Sequence, residues 1–160
     1  MNRLQGLPSE IGQLILLEQL DISRNKLRKL PAEIGRLISL KKLKIYTNKL
    51  EELPPEISQL ISLMELDVSI NQLQELPSEI GWLTSLERLD ITRNKLQKIP
   101  TDIGGLISLK KFKISMNQLQ ELPPEISQLI SLKDLCVYGN RLQELPSEIS
   151  CENYRLKLAN

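Results

Sequence analysis

Not one histidine occurs among the 160 residues. Its absence removes the commonest general base at neutral pH, and with it the Ser-His and Cys-His nucleophile pairs. No G-x-x-x-x-G-K-[ST] or G-x-G-x-x-G phosphate loop is present, and Gly104-Gly105 stands alone. The expectation is a protein that is not an enzyme. Two cysteines, Cys136 and Cys151, are too few for a disulfide framework or for paired metal ligands. Both are expected as free thiols, with no metal and no cofactor. Aromatic residues make up only 3% of a chain that is 41% hydrophobic, so leucine and isoleucine must build the interior.

Charge of one sign is also lacking. Twenty-one basic residues against 20 acidic ones leave a net charge of +1, which gives no general drive toward nucleic acid or an anionic membrane. No apolar run approaches the roughly 18 residues that would span a bilayer, so membrane insertion is not expected. The first residues, MNRLQGLPSEIG, carry repeat positions where a signal peptide would have its apolar core. A cytoplasmic protein is the simplest reading, and a secreted or surface location is compatible with the sequence. No N-x-S/T sequon occurs, so the many asparagines need another use.

Those asparagines are what the sequence has. Asn2, Asn25, Asn48, Asn71, Asn94, Asn117 and Asn140 follow one another at 23-residue intervals without a slip. Leu-Pro recurs in step at Leu7, Leu30, Leu53, Leu76, Leu122 and Leu145, with Ile99-Pro100 as the one variant. The unit reads L-x-x-L-x-L-x-x-N-x-L-x-x-L-P-x-E-I-x-x-L-x-x, and six copies begin at Leu17, Leu40, Leu63, Leu86, Leu109 and Leu132. Units three apart agree best. Residues 17–39 match 86–108 at 16 of 23 positions, residues 40–62 match 109–131 at 18 of 23, and the adjacent units 17–39 and 40–62 match at 13 of 23. The array is therefore read as a duplicated block of three units.

A fixed period of this length and spelling resembles the leucine-rich repeat proteins, most closely the 23-residue L-P-x-E-I class of plant Ras-group-related proteins, Ras-pathway scaffolds and bacterial repeat proteins. The resemblance implies an α/β solenoid: a curved horseshoe segment with a concave parallel β-sheet, short 3₁₀ or α turns on the convex side, and partner binding on the concave face. The expected layout is one domain over residues 1–160. It comprises a partial N-terminal repeat at 1–16, six repeats over 17–149 with the last incomplete, and a degenerate C-terminal cap at 150–160.

The residues give the same picture physically. Alternation around Leu66 and Val68 is a half-buried strand, and one short strand cannot bury its apolar face unless neighbouring units stack on it. Asn25, Asn48, Asn71, Asn94, Asn117 and Asn140 each both donate and accept, so a stacked column of them is expected to satisfy backbone groups in the turns. Proline followed by Glu suits the start of a short helical turn.

Function must then lie on strand positions pointing away from the core. The candidates are Lys42, Lys44, Tyr46, Met64, Glu65, Asp67, Arg88, Asp90, Lys111, Lys113, Met116 and Tyr138, a mosaic suited to a protein or peptide ligand of mixed charge. The bland alternative is self-neutralisation, because the central column Asp21, Lys44, Asp67, Asp90, Lys113 gives every charge an opposite neighbour one strand away. Trp82 is expected to pack over a neighbouring turn. The edge formed by Leu4, Leu7, Ile11 and Leu14 has no polar cap before it. That suggests the alternative role of a self-assembling protein, a homo-oligomer through its open ends or sheet edge. At the far end Leu158 is expected to keep its repeat position, with Leu156 as an extra apolar neighbour.

Overall fold

A computed structural model describes residues 3–147 and the backbone of 155–157, and each unit in it follows one path. Three residues form a strand, the chain turns at the asparagine, an extended stretch leads to proline, and five residues make a 3₁₀ turn. The strands are β1 (Gln19–Asp21), β2 (Lys42–Lys44), β3 (Glu65–Asp67), β4 (Arg88–Asp90), β5 (Lys111–Lys113), β6 (Asp134–Cys136) and β7 (Arg155–Lys157). They lie in sequence order in one parallel sheet. This is the curved α/β solenoid that the repeat implies, and among the described residues its outer side carries 3₁₀ turns and no α-helix.

Register follows from burial. Leu43, Leu66, Leu89, Phe112 and Leu135 align across successive strands and are at most 1% exposed. Slipping a strand by one residue would turn that file to water and put charges inside. From β1 to β6 the register advances by 23 residues per strand, but Leu156 of β7 lies opposite Leu135, an advance of 21. The last interval is two residues short, so Leu156, not Leu158, takes the strand-centre place. Leu158 itself lies outside the described residues.

Each 3₁₀ turn is preceded by proline in extended geometry, as at Pro31 (φ −71, ψ 149) and Pro77 (φ −64, ψ 144). The proline carbonyl accepts the first turn hydrogen bond, Ile34 N to Pro31 O at 3.0 Å for example. The leucine closing the turn then bends sharply, with Leu37 at φ −77, ψ 59, close to an inverse γ-turn. The next amide, Ile38 N, donates to Arg36 O at 2.9 Å. Leu37 is buried by this bend and Ile38 is thrown outward.

Between the turns Ser78–Trp82 and Thr101–Gly105 two glycines allow a close approach. A Cβ at Gly81 would run into the Asp102 carbonyl oxygen, and one at Gly105 into the Gly81 carbonyl oxygen. Trp82, at the end of that turn, does not pack down; it is 68% exposed. It occupies the turn's last position, which Gln13, Arg36, Gln59 and Gln128 hold, all exposed, in other units. That site faces away from the core whatever residue fills it. At the first turn Leu4, Leu14 and Leu16 are 44%, 51% and 82% exposed.

Candidate protein-binding face

Pleating alternates the strand side chains, so residues flanking each central leucine project from the sheet. The register lines them into two files: Gln19, Lys42, Glu65, Arg88, Lys111, Asp134, and Asp21, Lys44, Asp67, Asp90, Lys113, Cys136. At the middle of the face Glu65, Asp67, Arg88, Asp90, Lys111 and Lys113 line a shallow depression of about 260 Å³. Six of the residues singled out in the sequence thus converge. Lys42 and Lys44 adjoin them through Glu65. Tyr46 instead lies against Arg24, whose guanidinium is 5.7 Å from the ring centroid. Met64 and Met116 are 41% and 37% exposed, Tyr138 is half-buried, and none of these four lines the depression.

The charges are only partly self-neutralised. Lys113 Nζ reaches Asp90 at 3.1 Å, while Lys42 and Lys44 both turn to Glu65, at 3.8 and 3.9 Å. Lys44 therefore pairs diagonally and not with Asp67, the residue in register. Lys111 lies 3.7 Å from Asp134. Among the described residues Arg88 and Asp67 have no ion pair, and Asp67 stands beside Asp90 in register, like charge against like. The Asp90 carboxylate, accepting a hydrogen bond from Lys113, holds the Lys113 ammonium above its ordinary pKa. The backbone N–H of Ser23, followed in the same direction by the charges of Lys44 and Arg24, holds Asp21 below its own.

Asp21, Asp67 and Asp90 have a second task. The Oδ1 of each accepts the backbone N–H two residues on, from Ser23, Ser69 and Thr92 at 3.0, 3.0 and 3.1 Å. These are Asx turns, and D-x-[ST] at the strand end is the sequence signal that would have found them. A left-handed residue precedes each asparagine from Asn25 to Asn140, after an Asx turn in three of the six units: Arg24, Thr47, Ile70, Arg93 and Met116 have φ between 55° and 58°, and Gly139 has φ 69°. For β-branched Thr47 and Ile70 this is a strained conformation. Ile70 is nevertheless 43% exposed.

The asparagines hold this edge in place. Oδ1 of Asn71 accepts from Leu50 N at 3.0 Å, and its Nδ2 donates to Ile45 O, Val68 O and Ser69 O at 3.1, 3.0 and 3.2 Å. The bond from the preceding unit's leucine N–H recurs from Leu4 to Asn25, Leu27 to Asn48, Leu73 to Asn94, Leu96 to Asn117 and Leu119 to Asn140. Cys136 is a free, half-buried thiol, and Cys151 lies outside the described residues. Among the described residues no group of three acidic or cysteine side chains could hold a metal ion, and no helix is long and apolar enough to cross a membrane.

A leucine-rich repeat family model matches residues 38–96 and 61–119, and a second covers 16–37. No curated protein matches. Among solved structures, the chain is 41% identical to a leucine-rich repeat protein of Leptospira interrogans, with TM-score 0.93, covering 98% of this chain and 40% of that one. It is 29% identical, with TM-score 0.83, to the ectodomain of an Arabidopsis thaliana membrane receptor kinase, GASSHO1/SCHENGEN3, solved in complex with Casparian strip integrity factor 2; 94% of this chain and 19% of that one are covered. A TDR receptor is 29% identical over 96% of this chain and 28% of its own length, with TM-score 0.84. The chain thus spans less than half the length of each of these proteins.

Proposed function

Since the chain belongs to the leucine-rich repeat family, whose domains generally serve as protein-interaction modules, we propose that it is a non-enzymatic binding module that holds a protein or peptide partner against the open face of its sheet. The observation carrying this reading is the central depression. Asp67 and Asp90 stand side by side there, and Arg88 has no anion of its own among the described residues. A purely self-neutralised surface would leave neither an in-register acidic pair nor a free guanidinium. A partner offering a cation toward Asp67 and a carboxylate toward Arg88 relieves both, and arginine forms bidentate pairs well. The apolar groups on either side, Met64, Ile70 and Met116, are placed to exclude water around such contacts. The receptor ectodomain solved with its factor supports the reading by analogy of fold.

Larger grooves exist elsewhere. One of about 680 Å³ runs along Glu51, Glu52, Gln74, Glu75, Gln97, Lys98 and Gln120, a file of flexible polar side chains with no apolar anchor, which makes a poorer interface core. The test is affinity capture with wild type beside Arg88→Glu and Lys111→Glu/Lys113→Glu variants whose fold is verified by circular dichroism. A partner held by wild type and lost by both variants supports the sheet face. Equal retention by all three proteins refutes it.

A further inference from the structure

The chain's near-zero net charge hides a segregation. From Ser23 to Arg141, the two positions before and the one after each array asparagine hold six basic residues and no acidic one. Arg24, Lys26, Lys49, Arg93, Lys95 and Arg141 are all exposed, and among the described residues none is in an ion pair. Arg24 stacks over Tyr46, and Lys95 Nζ donates to Gln72 Oε1 at 3.1 Å, a reach from one unit to the next. These residues run along the edge where the strands end, and none of the six lines the sheet-face depression. Backbone bonds fix the band in place. Arg24 N donates to Tyr46 O and Lys49 N to Leu27 O, both at 2.9 Å, and the same two kinds of bond recur at Arg93 and Lys95. Unpaired cations on a backbone already ordered by the fold bind an anionic chain at low ordering cost.

The occupant follows from width, apolar content and spacing. The band is narrow, bordered by Asp21, Asp67 and Asp90 on the sheet side and by Glu51, Glu52 and Glu75 on the other. A lipid surface or a nucleic-acid duplex broad enough to cover the edge would meet those carboxylates too, whereas a single extended chain meets the cations alone. Asp21 does act on Arg24, but it is shared with Lys44 and already accepts the Ser23 N–H. Apolar groups interrupt the cations: Ile70 and Met116, 43% and 37% exposed, take the places that Arg24 and Arg93 hold in other units. Ile70 keeps its left-handed backbone there without gaining burial, and strain of this kind gathers at contact sites. A sulfated glycan would leave both apolar groups unmatched. A single-stranded nucleic acid wants aromatic platforms, and the band offers two tyrosines, one of them under Arg24. A polypeptide supplies carboxylates and apolar groups together. Ile70 and Met116 stand two strand intervals apart, about 10 Å, which is about the span of three extended residues. We infer that this edge docks an extended acidic polypeptide segment with an apolar residue at about every third position. Its carboxylates meet the arginines and lysines, and its apolar side chains meet Ile70 and Met116. The site adjoins the proposed partner face but uses different charges, so either can fail alone.

Fluorescence anisotropy with a fluorescein-labelled peptide of five Glu-Glu-Val triplets, at about 50 mM salt to limit screening, tests it. Wild type should bind this peptide, and a peptide of Glu-Glu-Ser triplets about fivefold more weakly. Arg24→Glu/Lys26→Glu and Arg93→Glu/Lys95→Glu, with unchanged circular dichroism, should each weaken binding about tenfold, and the milder Arg24→Gln/Lys26→Gln about threefold. Ile70→Ser/Met116→Ser should weaken it about fivefold. Arg88→Ala, in the sheet-face depression, should leave it unchanged. No binding by wild type, binding indifferent to the edge changes, or equal binding of the Glu-Glu-Ser peptide each overturns the inference. Loss on Arg88→Ala without loss on the edge changes also overturns it and moves the acidic segment to the sheet face. A sulfated oligosaccharide or phosphatidylserine vesicles held through these cations, with the peptide ignored, would reassign the edge to a glycan or a lipid surface.

Discussion

Residues 40–62 and 109–131 differ at five of 23 positions, yet their exposed chemistry diverges. Lys44 turns forward to Glu65 at 3.9 Å, whereas Lys113 turns back to Asp90 at 3.1 Å. The cause lies in the following unit. Glu65 is one methylene longer than its counterpart Asp134 and reaches both Lys42 and Lys44, while Asp134 is paired with Lys111 and Lys113 looks elsewhere. Tyr46 is covered by Arg24; in its place Ser115 is 1% exposed with a hydroxyl that has no hydrogen-bond partner. In a solenoid, a unit's surface properties are written partly by its neighbours, so near-identical stretches offer unequal docking strips.

Positions 69 residues apart can be set against each other to sharpen this contrast. The largest difference is expected at the asparagines. Asn94→Ala would leave Leu73 N, Val68 O and Ile91 O short of a buried partner, at about 3 kcal/mol in urea unfolding. Asn25→Ala, at a half-buried site whose Leu4 contact is exposed, should cost about 1 kcal/mol. Next come the glycines. Gly81→Ala forces the Asp102 carbonyl away and should cost about 2 to 3 kcal/mol. At Gly12 the nearest atoms, Glu33 Cβ and the Glu33 backbone oxygen, are 2.9 Å from the added carbon, too close to stay in place but farther off than at Gly81, and Gly12→Ala should cost about 1 to 2 kcal/mol.

A smaller effect has the opposite sign. Ile70 holds φ 55° where Gly139 holds φ 69°, so Ile70→Gly should raise the unfolding free energy by about 1 kcal/mol and Gly139→Ile should lower it. Equal responses at the two sites would show that the left-handed position is not strained. The smallest effect is in pH. The Asp21 carboxyl is held below the ordinary aspartate pKa of 3.8. Its contribution is therefore present above that value and lost as pH falls through the folded pKa. Lys113, raised above 10.5, contributes below that value and loses its contribution as pH rises through the folded pKa. Asp21→Asn should flatten the acid limb of stability against pH and leave the alkaline limb alone, while Asp90→Asn should flatten the alkaline limb. Asp21 is exposed and the Lys113 side chain is 53% exposed, so both effects are slight.

Much of the fold was legible because a slip-free period leaves few alternatives: the leucine files, the asparagine column and the short turns after proline all follow from it. Half of the candidate face converged as read, because outward strand positions are fixed by alternation. Other features depend on dihedrals and reach that no letter states. The diagonal choice of Lys44 depends on one methylene in Glu65. The left-handed row carries Arg, Thr, Ile and Met, none of which advertises positive φ. An isoleucine beside a core leucine reads as core or as filler until the bend at Leu37 or Leu60 turns it out, so the exposure of Ile38 and Ile61 escaped notice. Trp82 misled because tryptophan usually packs, and here its position in the turn outweighs its size.

The asparagine bonds carry a rule about length. Each amide ties its own unit to the one immediately before, and among the described residues no hydrogen bond of this column skips a unit. Excising residues 63–85 whole would bring Asn94 against Ile45 O and Leu50 N in place of Val68 O and Leu73 N, atoms of the same kind at the same register. Removing a single residue from that stretch would misalign the amides that join it to its neighbours, those of Asn71 and Asn94. The molecule can therefore shorten or lengthen by whole units inside the array and re-letter its outer surfaces as it does so; the one interval of another length in the sheet is the last, the 21 residues from β6 to β7.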